Sequence, residues 1–264
     1  MKLGALVLTV LCYNVRGLPG WIAGDDPAGR MAQISKHIAA YDVALVQESW
    51  TNFALLRAGA AHAVIERDGR ADAGSRSESG LAAFARARLR AVSRGSLGAC
   101  AGWYDRANDC LADKGFLRLR LALANGAELD VWTTHLDAGR DETDRAARDV
   151  QLQRLTERVR ALSAGAALIV AGDLNLDYEN AADRALLDRF TRELSLTDTG
   201  ARPDADGAFA HKRIDYVLFR SGAGAVLELE AAGEAREFAD GPTPLSDHPA
   251  LFARFRISNA ASAP

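Results

Sequence analysis

The chain has 264 residues, of which 25% are charged and 48% hydrophobic, with a formal net charge of −3. That length suits one large α/β domain or two small ones, with enough chain for a substantial core. The slight acidic excess excludes a global pull toward nucleic acid, although it leaves room for a local basic groove. No stretch reaches the roughly 20 apolar residues that cross a bilayer as a helix, so the chain as written is expected to be soluble.

Residues 3–12 form an apolar run just after Lys2, the pattern with which a signal peptide begins. The run is short and no small-residue cleavage site precedes Tyr13-Asn14, so a buried strand over residues 5–13 explains it better. A longer precursor that loses a leader stays open. Further runs of strand length lie at 43–46, 81–85, 116–123, 129–134, 166–171, 214–219 and 250–255. Most are continuous rather than alternating, as in strands buried on both faces. The run 116–123 alternates with Arg118 and Arg120, which predicts one wet face.

Helical spacing appears between the runs. Met31, Ile34 and Ile38 recur on one face after Asp26 as a cap and Pro27 in the first turn. Leu152, Leu155, Val159 and Leu162 form a second stripe within 141–162, and Leu187, Phe190 and Leu194 a third. Strands alternating with helices predict a layered α/β fold. With no internal repeat and no low-complexity linker, residues 1–257 read as one domain, and residues 258–264 as a frayed tail. Of three cysteines, Cys12 sits in the first apolar run as a buried thiol. Cys100 and Cys110 flank a polar loop that a short disulfide would close. Bridged and free forms both stay open without a known compartment, and the three show no zinc spacing.

The polar signals gather at the ends of the apolar runs, where layered α/β proteins place their sites. Asn14 ends the first run, Glu48 follows the second, and His135 ends the run at 129–134. Asp173 and Asn175 follow 168–172, Asp215 sits within Arg213-Ile214-Asp215-Tyr216-Val217, and Asp247-His248 precede the last run. Each alone is ordinary: a surface carboxylate, a structural histidine, or a Gly-Asp-Leu-Asn turn. Six such coincidences in one chain are not. Oxygen ligands without a cysteine or histidine cage suit a hard cation such as Mg²⁺. One histidine suits proton abstraction from water near neutral pH, and another a hydrogen bond to a phosphoryl oxygen.

The pieces Tyr13-Asn14-Val15, Gln47-Glu48, Thr134-His135-Leu136, Gly172-Asp173-Leu174-Asn175, Arg213-Ile214-Asp215-Tyr216 and Ser246-Asp247-His248 resemble, in order, the motifs of the endonuclease/exonuclease/phosphatase superfamily. The resemblance implies a four-layer α/β sandwich, two packed mixed β-sheets flanked by helices, with the site at one rim. It implies a metal-dependent phosphodiesterase in which Glu48 binds Mg²⁺ (Mn²⁺ or Co²⁺ substituting), with Asn14 and Asp247 contributing. His248 is implied as general base oriented by Asp215, Asp173 as the group positioning the water, and Asn175 and His135 as phosphate contacts. Whether Asp173 or His248 takes the proton stays open.

Asp109-Cys110-Leu111-Ala112-Asp113-Lys114-Gly115 resembles a segment of neutral sphingomyelinases, as does Gly17-Leu18-Pro19-Gly20-Trp21. The alternative is a loop whose Lys114 is simply solvated. By that resemblance Lys114 and Asp109 meet the substrate phosphate, and the partner is a phospholipid or other phosphodiester, with transient membrane-surface contact, in a monomer. Trp50, Trp103 and Tyr104 offer aromatic faces that suit a choline cation or plain packing. Two departures stand out: Asp137 replaces the glutamine of many sphingomyelinases, and no apolar hairpin tip is evident. A nuclease of the same superfamily and a non-catalytic phosphate-binding domain are the alternatives. The first needs a basic groove, whereas Arg and Lys are dispersed among acids. The second predicts a lost core residue, and none is missing. A bridged Cys100–Cys110 implies an extracytoplasmic protein.

Overall fold

The computed structural model describes residues 5–68, 78–102, 109–201 and 212–260. Its strands are β1 (Leu6–Asn14), β2 (Val43–Gln47), β3 (Val64–Arg67), β4 (Ala82–Ala85), β5 (Arg88–Ser96), β6 (Gly115–Ala122) and β7 (Glu128–His135), followed by β8 (Leu168–Asp173), β9 (Thr197–Asp198), β10 (Asp215–Arg220), β11 (Val226–Glu234), β12 (Ala239–Asp240), β13 (Thr243–Pro244) and β14 (Leu251–Ser258). Helices are α1 (Gly20–Ala23), α2 (Pro27–Ile38), α3 (Phe53–Ala58), α4 (Glu142–Leu162) and α5 (Ala181–Leu194). One six-stranded sheet runs in the order β11-β14-β1-β2-β4-β3 and a second in the order β5-β6-β7-β8-β10-β9. Each is mixed, with β1 parallel to β2 and β7 parallel to β8 among antiparallel neighbours.

The continuous apolar runs have a direct cause. In β1, Leu8, Val10 and Cys12 enter the core between the sheets, against Leu117, Leu119, Val131, Ile169 and Val217 of the second sheet. The alternate residues Leu11 and Tyr13 face α2 through Met31, Ile34 and Ile38. In β8, Ile169 and Ala171 point inward while Leu168 and Val170 meet Leu152, Leu155, Leu187 and Phe190 of α4 and α5. Helix, sheet, sheet and helix thus stack as four layers, and the central strands are buried on both faces.

The cap expected on α2 forms, and α4 has one of its own. The Asp26 side chain accepts from Ala28 and Gly29 N–H ahead of Pro27, and Asp141 with Asp144 makes a reciprocal capping box on α4. One expectation is corrected. Arg118 on β6 is only 4% exposed, because it and Arg120 grip the buried Asp130 carboxylate of β7 at 2.8–3.1 Å. That face is filled by an ion-paired cluster at Arg118 and opens to solvent towards Arg120, whose side chain is 35% exposed. At the C-terminus β14 continues through Ser258, so ordered strand reaches into the expected tail, and residues 261–264 lie outside the described residues.

Candidate active site

Strand direction brings the polar residues to one rim. β1, β2, β7 and β8 all end there, with Asn14 beside Gln47 and His135 beside Asp173. Antiparallel β10 begins there, with Asp215 opposite Asp173. Asp173 is therefore flanked in register by His135 and Asp215. Gly172 allows this close pairing, since a Cβ there would lie 2.1 Å from the Thr134 carbonyl oxygen.

Asn14 is fully buried and links the two sheets. Its Nδ2 donates to Glu48 Oε1 at 3.0 Å and to Asp173 Oδ2 at 3.1 Å. The Ser246 hydroxyl donates to the Asn14 carbonyl at 2.7 Å, tying in the loop that carries His248. Glu48 sits just past β2 with φ 56°, the left-handed region that a non-glycine residue rarely holds. Gly17 N–H donates to the Glu48 carbonyl at 2.8 Å, and a Cβ on Gly17 would come within 2.4 Å of that oxygen. Asn175 is likewise left-handed at φ 50°; its N–H donates to Asp173 Oδ1 at 3.0 Å and its amide to the Leu136 carbonyl at 3.0 Å.

His248 Nδ1 lies 2.8 Å from Asp215 Oδ2, and its Nε2 is 3.7 Å from Asp173 Oδ2. Burial pulls this imidazole down, but the hydrogen bond and charge of Asp215, then Asp173 and Asp247, outweigh it and lift the group to about 10. His135 Nε2 is 3.4 Å from Asp173 Oδ2. Burial, with Lys114 and His248 adding to it, holds His135 well below the usual histidine range, so it is a neutral ring and not an ion-pair partner. Burial also raises Glu48, Asp173 and Asp215 above the ordinary carboxylate range, and their mutual repulsion adds to the effect.

A cavity of about 590 Å³ opens over this cluster, lined by Glu48, His135, Asp173, Asn175, His248, Lys114 and Asp109 together with Trp50, Glu78, Ala138 and apolar side chains. Lys114 is not solvated: it is 5% exposed, pairs with Asp109 at 2.6 Å and donates to the Leu136 carbonyl at 3.2 Å. Asp109 in turn accepts from Ala138 N–H, and Cys100 and Cys110 are disulfide-bonded next to it. Asp137 points away from the cavity, accepting from Ala101 N–H and the Gln151 amide. Asp247 is not in the cavity wall. It pairs with Arg16 at 3.4 Å with a side chain 55% exposed. Trp103 and Tyr104 lie outside the described residues. The residue patterns did not single out Glu78, paired with Arg67, which carries no motif, or Ser246, whose only signal was its place in Ser246-Asp247-His248.

A divalent cation fits this donor set. Asp173, Asp215 and His248 offer ligand atoms within 4.8 Å of one another, but Asp215 and His248 are already engaged with each other. Glu48 offers a carboxylate at the cavity wall, with one oxygen held by Asn14. The buried Asp173 and Asp215 and the half-buried Glu48 face one imidazolium while Lys114 is matched by Asp109, so negative charge is in excess. Two buried polar atoms, His135 Nδ1 and Asp215 Oδ1, have no protein partner.

Comparison with known proteins agrees with this geometry. The chain is 31% identical over 160 residues to the sphingomyelinases of Mycobacterium bovis and Mycobacterium tuberculosis. That stretch takes in 55% of this chain but only 31% of the mycobacterial proteins' length. In fold it is similar to sphingomyelinase C from Streptomyces griseocarneus (TM-score 0.67, 22% identity, 94% of this chain and 99% of that one). It is also similar to an endonuclease/exonuclease/phosphatase family protein from Bacteroides thetaiotaomicron (0.72, 17%, 96% and 98%). A third similar structure is Staphylococcus aureus beta toxin with bound magnesium ions (0.67, 16%, 94% and 99%). Residues 11–248 match the Endonuclease/Exonuclease/phosphatase family, a span that runs from within β1 to His248 and takes in each rim residue described above, so the chain belongs to that family.

Proposed function

We propose that this protein is a Mg²⁺-dependent phosphodiesterase of sphingomyelinase type, which drives water onto the phosphorus of a phospholipid. The observation that carries the reading is the Asp215–His248 pair set beside Asp173 in a cavity that also holds Glu48, Lys114 and His135. The similarity to sphingomyelinases and the magnesium in beta toxin support it.

Glu48 would hold the cation, with Asn14 orienting its carboxylate and Asp173 close by. When bound, the cation supplies charge stabilisation for the phosphoryl oxygens and acidifies water. His248 takes the water proton through Nε2, and Asp215 at Nδ1 fixes the tautomer and favours the imidazolium that results. The proton affinity of His248 is set by the carboxylates around it, and whatever neutralises them lowers it. Asp173 orients the water. His135 and Asn175 donate to phosphoryl oxygens, and Lys114 adds a preorganised cation. Asp109 holds that ammonium in reserve at 2.6 Å. Residues 1–257 act as one catalytic domain, and the Cys100–Cys110 bridge suits an extracytoplasmic setting.

A hydrolysis panel with and without Mg²⁺ tests the reading: sphingomyelin, lysophospholipids, phosphatidylinositols, single- and double-stranded DNA, and RNA. Mg²⁺-dependent release of a phosphorylated headgroup is expected. Cleavage confined to nucleic acid would move the assignment to a nuclease, and undiminished turnover in chelator would remove the metal from it.

A further inference from the structure

We propose that α1 and the Leu111 turn form a lipid-surface docking rim around the mouth of the cavity, and that it engages electroneutral, zwitterionic lipid. The proposal rests on the phospholipid reading above and names the surface on which that substrate is met. Trp21 on α1 is 85% exposed and Ile22 beside it 51%. Leu111, which lines the same cavity as Ile22, is 44% exposed. Ile22, Leu111 and Leu18 all line the cavity that holds the phosphate-directed groups. Large exposed apolar side chains gathered on one rim of a site mark an interaction surface, whereas the same residues scattered singly do not.

The rim is built to hold its shape. In α1, Ala23 N–H donates to Pro19 O at 2.9 Å and Gly24 N–H to Gly20 O at 2.8 Å, while Arg16 Nη2 caps the Ala23 carbonyl at 3.2 Å. The segment leading into it is anchored on Glu48 through Gly17, and Thr51 N–H donates back to the Gly17 carbonyl at 2.9 Å. Leu111 follows the disulfide-bonded Cys110. Both apolar elements are thus fixed to the catalytic cluster, which sets the depth of a lipid phosphate once the side chains enter the interface. Trp is the residue that lies best at that level, apolar in body with one polar N–H.

Charge selects the kind of lipid. The ionic groups flanking α1 are matched to one another: Arg16 with Asp25 and Asp247, and Arg30 with Asp25. Asp26 is occupied as the cap of α2. The cavity side adds Glu78, paired with Arg67. Among the described residues flanking α1 and the cavity, these pairs leave no unmatched basic cluster of the kind that draws a protein to anionic lipid. Docking therefore runs on apolar insertion and is insensitive to salt.

The test is partition of the wild-type chain, Trp21→Ala and Trp21→Phe onto phosphatidylcholine vesicles with and without phosphatidylserine, at low and high salt. Turnover of bis(p-nitrophenyl) phosphate serves as the surface-independent control. Trp21→Ala should lose roughly tenfold or more in partition, Trp21→Phe should retain most of it, and salt should leave both unchanged. Trp21 is outside the cavity wall, so turnover of the soluble diester should equal wild type. Equal partition of Trp21→Ala and wild type would overturn the proposal, as would binding that requires phosphatidylserine and vanishes at high salt. A wild-type chain that partitions yet hydrolyses no phosphodiester would refute the enzymatic reading and leave the docking rim standing.

Discussion

Strand β7 buries acidic groups at both of its ends, in opposite company. At its start, Asp130 receives two bonds from Arg118, two from Arg120 and one from Ser163. Burial pushes its carboxyl up, but these partners outweigh burial and hold it below the usual range. At its end, His135 adjoins Asp173, which with Glu48 and Asp215 shares a single imidazolium and stays above that range. One end is a closed account of charge, suited to holding the β6–β7 pair together. The other is short of positive charge, the arrangement a ligand completes. Burial of charge alone thus says little; the uncompensated remainder is what separates a site from a structural cluster.

The comparison breaks most visibly if the rim proves structural. His248→Ala should lower turnover by about 10²–10⁴-fold while the thermal transition stays close to wild type. Near-normal turnover in this variant would hand the base role to Asp173. Asp130→Asn should do the reverse. It leaves Arg118 buried against a neutral partner, and removing one member of a buried pair destabilises by roughly 3–5 kcal/mol. Chemical denaturation should show that loss, with turnover per folded molecule and Mg²⁺ dependence unchanged.

The same difference explains what the sequence could and could not tell. Central strands β1, β2, β7 and β8 bury both faces, so each reads as an unbroken apolar run, and the polar residue ending each run marks the rim. Strands β3, β5 and β11 escaped because they lie at sheet edges, where one side is wet: Arg88–Ser96 buries no residue fully, and Val226–Glu234 alternates Leu with Glu at its start. The wet face expected at Arg118, and the solvated alternative for Lys114, arise because the partners of these residues are not local in pattern. Asp130 lies on the next strand, and the Leu136 carbonyl that takes a bond from Lys114 arrives only through the β6–β7 fold. The exposure of Trp21 at the mouth was equally invisible, since α1 is a single turn set by Pro19 and Gly24 without a stripe of its own.

A milder probe keeps the rim folded and alters only its charge. Glu48→Gln preserves size and the bond from Asn14 but removes one of the three carboxylate charges that share the His248 imidazolium. Mg²⁺ titration followed by turnover should show a midpoint raised by roughly 10²-fold, a loss of the order reported when groups around a metal are removed. Asn14→Asp should not restore it, because the amide is the donor that orients Glu48. An unchanged midpoint would place the cation elsewhere, with Asp173 and Asp215 the next candidates.

Asp137 supplies the intermediate case, buried with hydrogen bonds but without an ion pair. Ala101 N–H and the Gln151 amide donate to it. Burial, reinforced by Asp109, raises its carboxyl from the ordinary 3.8 to about 6 despite those bonds. A group whose folded-state pKa is raised stabilises the fold below its unfolded value and loses that contribution as pH rises through the folded one. The native Asp137 should therefore weaken the fold between pH 3.8 and about 6. Asp130 has the opposite sign: its contribution is present above the ordinary 3.8 and disappears as pH falls through its lowered value. Asp137→Asn removes the titration while keeping an acceptor for Gln151. Across that window the stability of wild type relative to Asp137→Asn should fall by at most roughly 3 kcal/mol, read from urea midpoints at successive pH values. Relative to Asp130→Asn, wild type should hold its advantage over the same window. Parallel pH curves for wild type and Asp137→Asn would mean that the two hydrogen bonds already compensate this carboxylate, and that an ion pair is not what distinguishes Asp130.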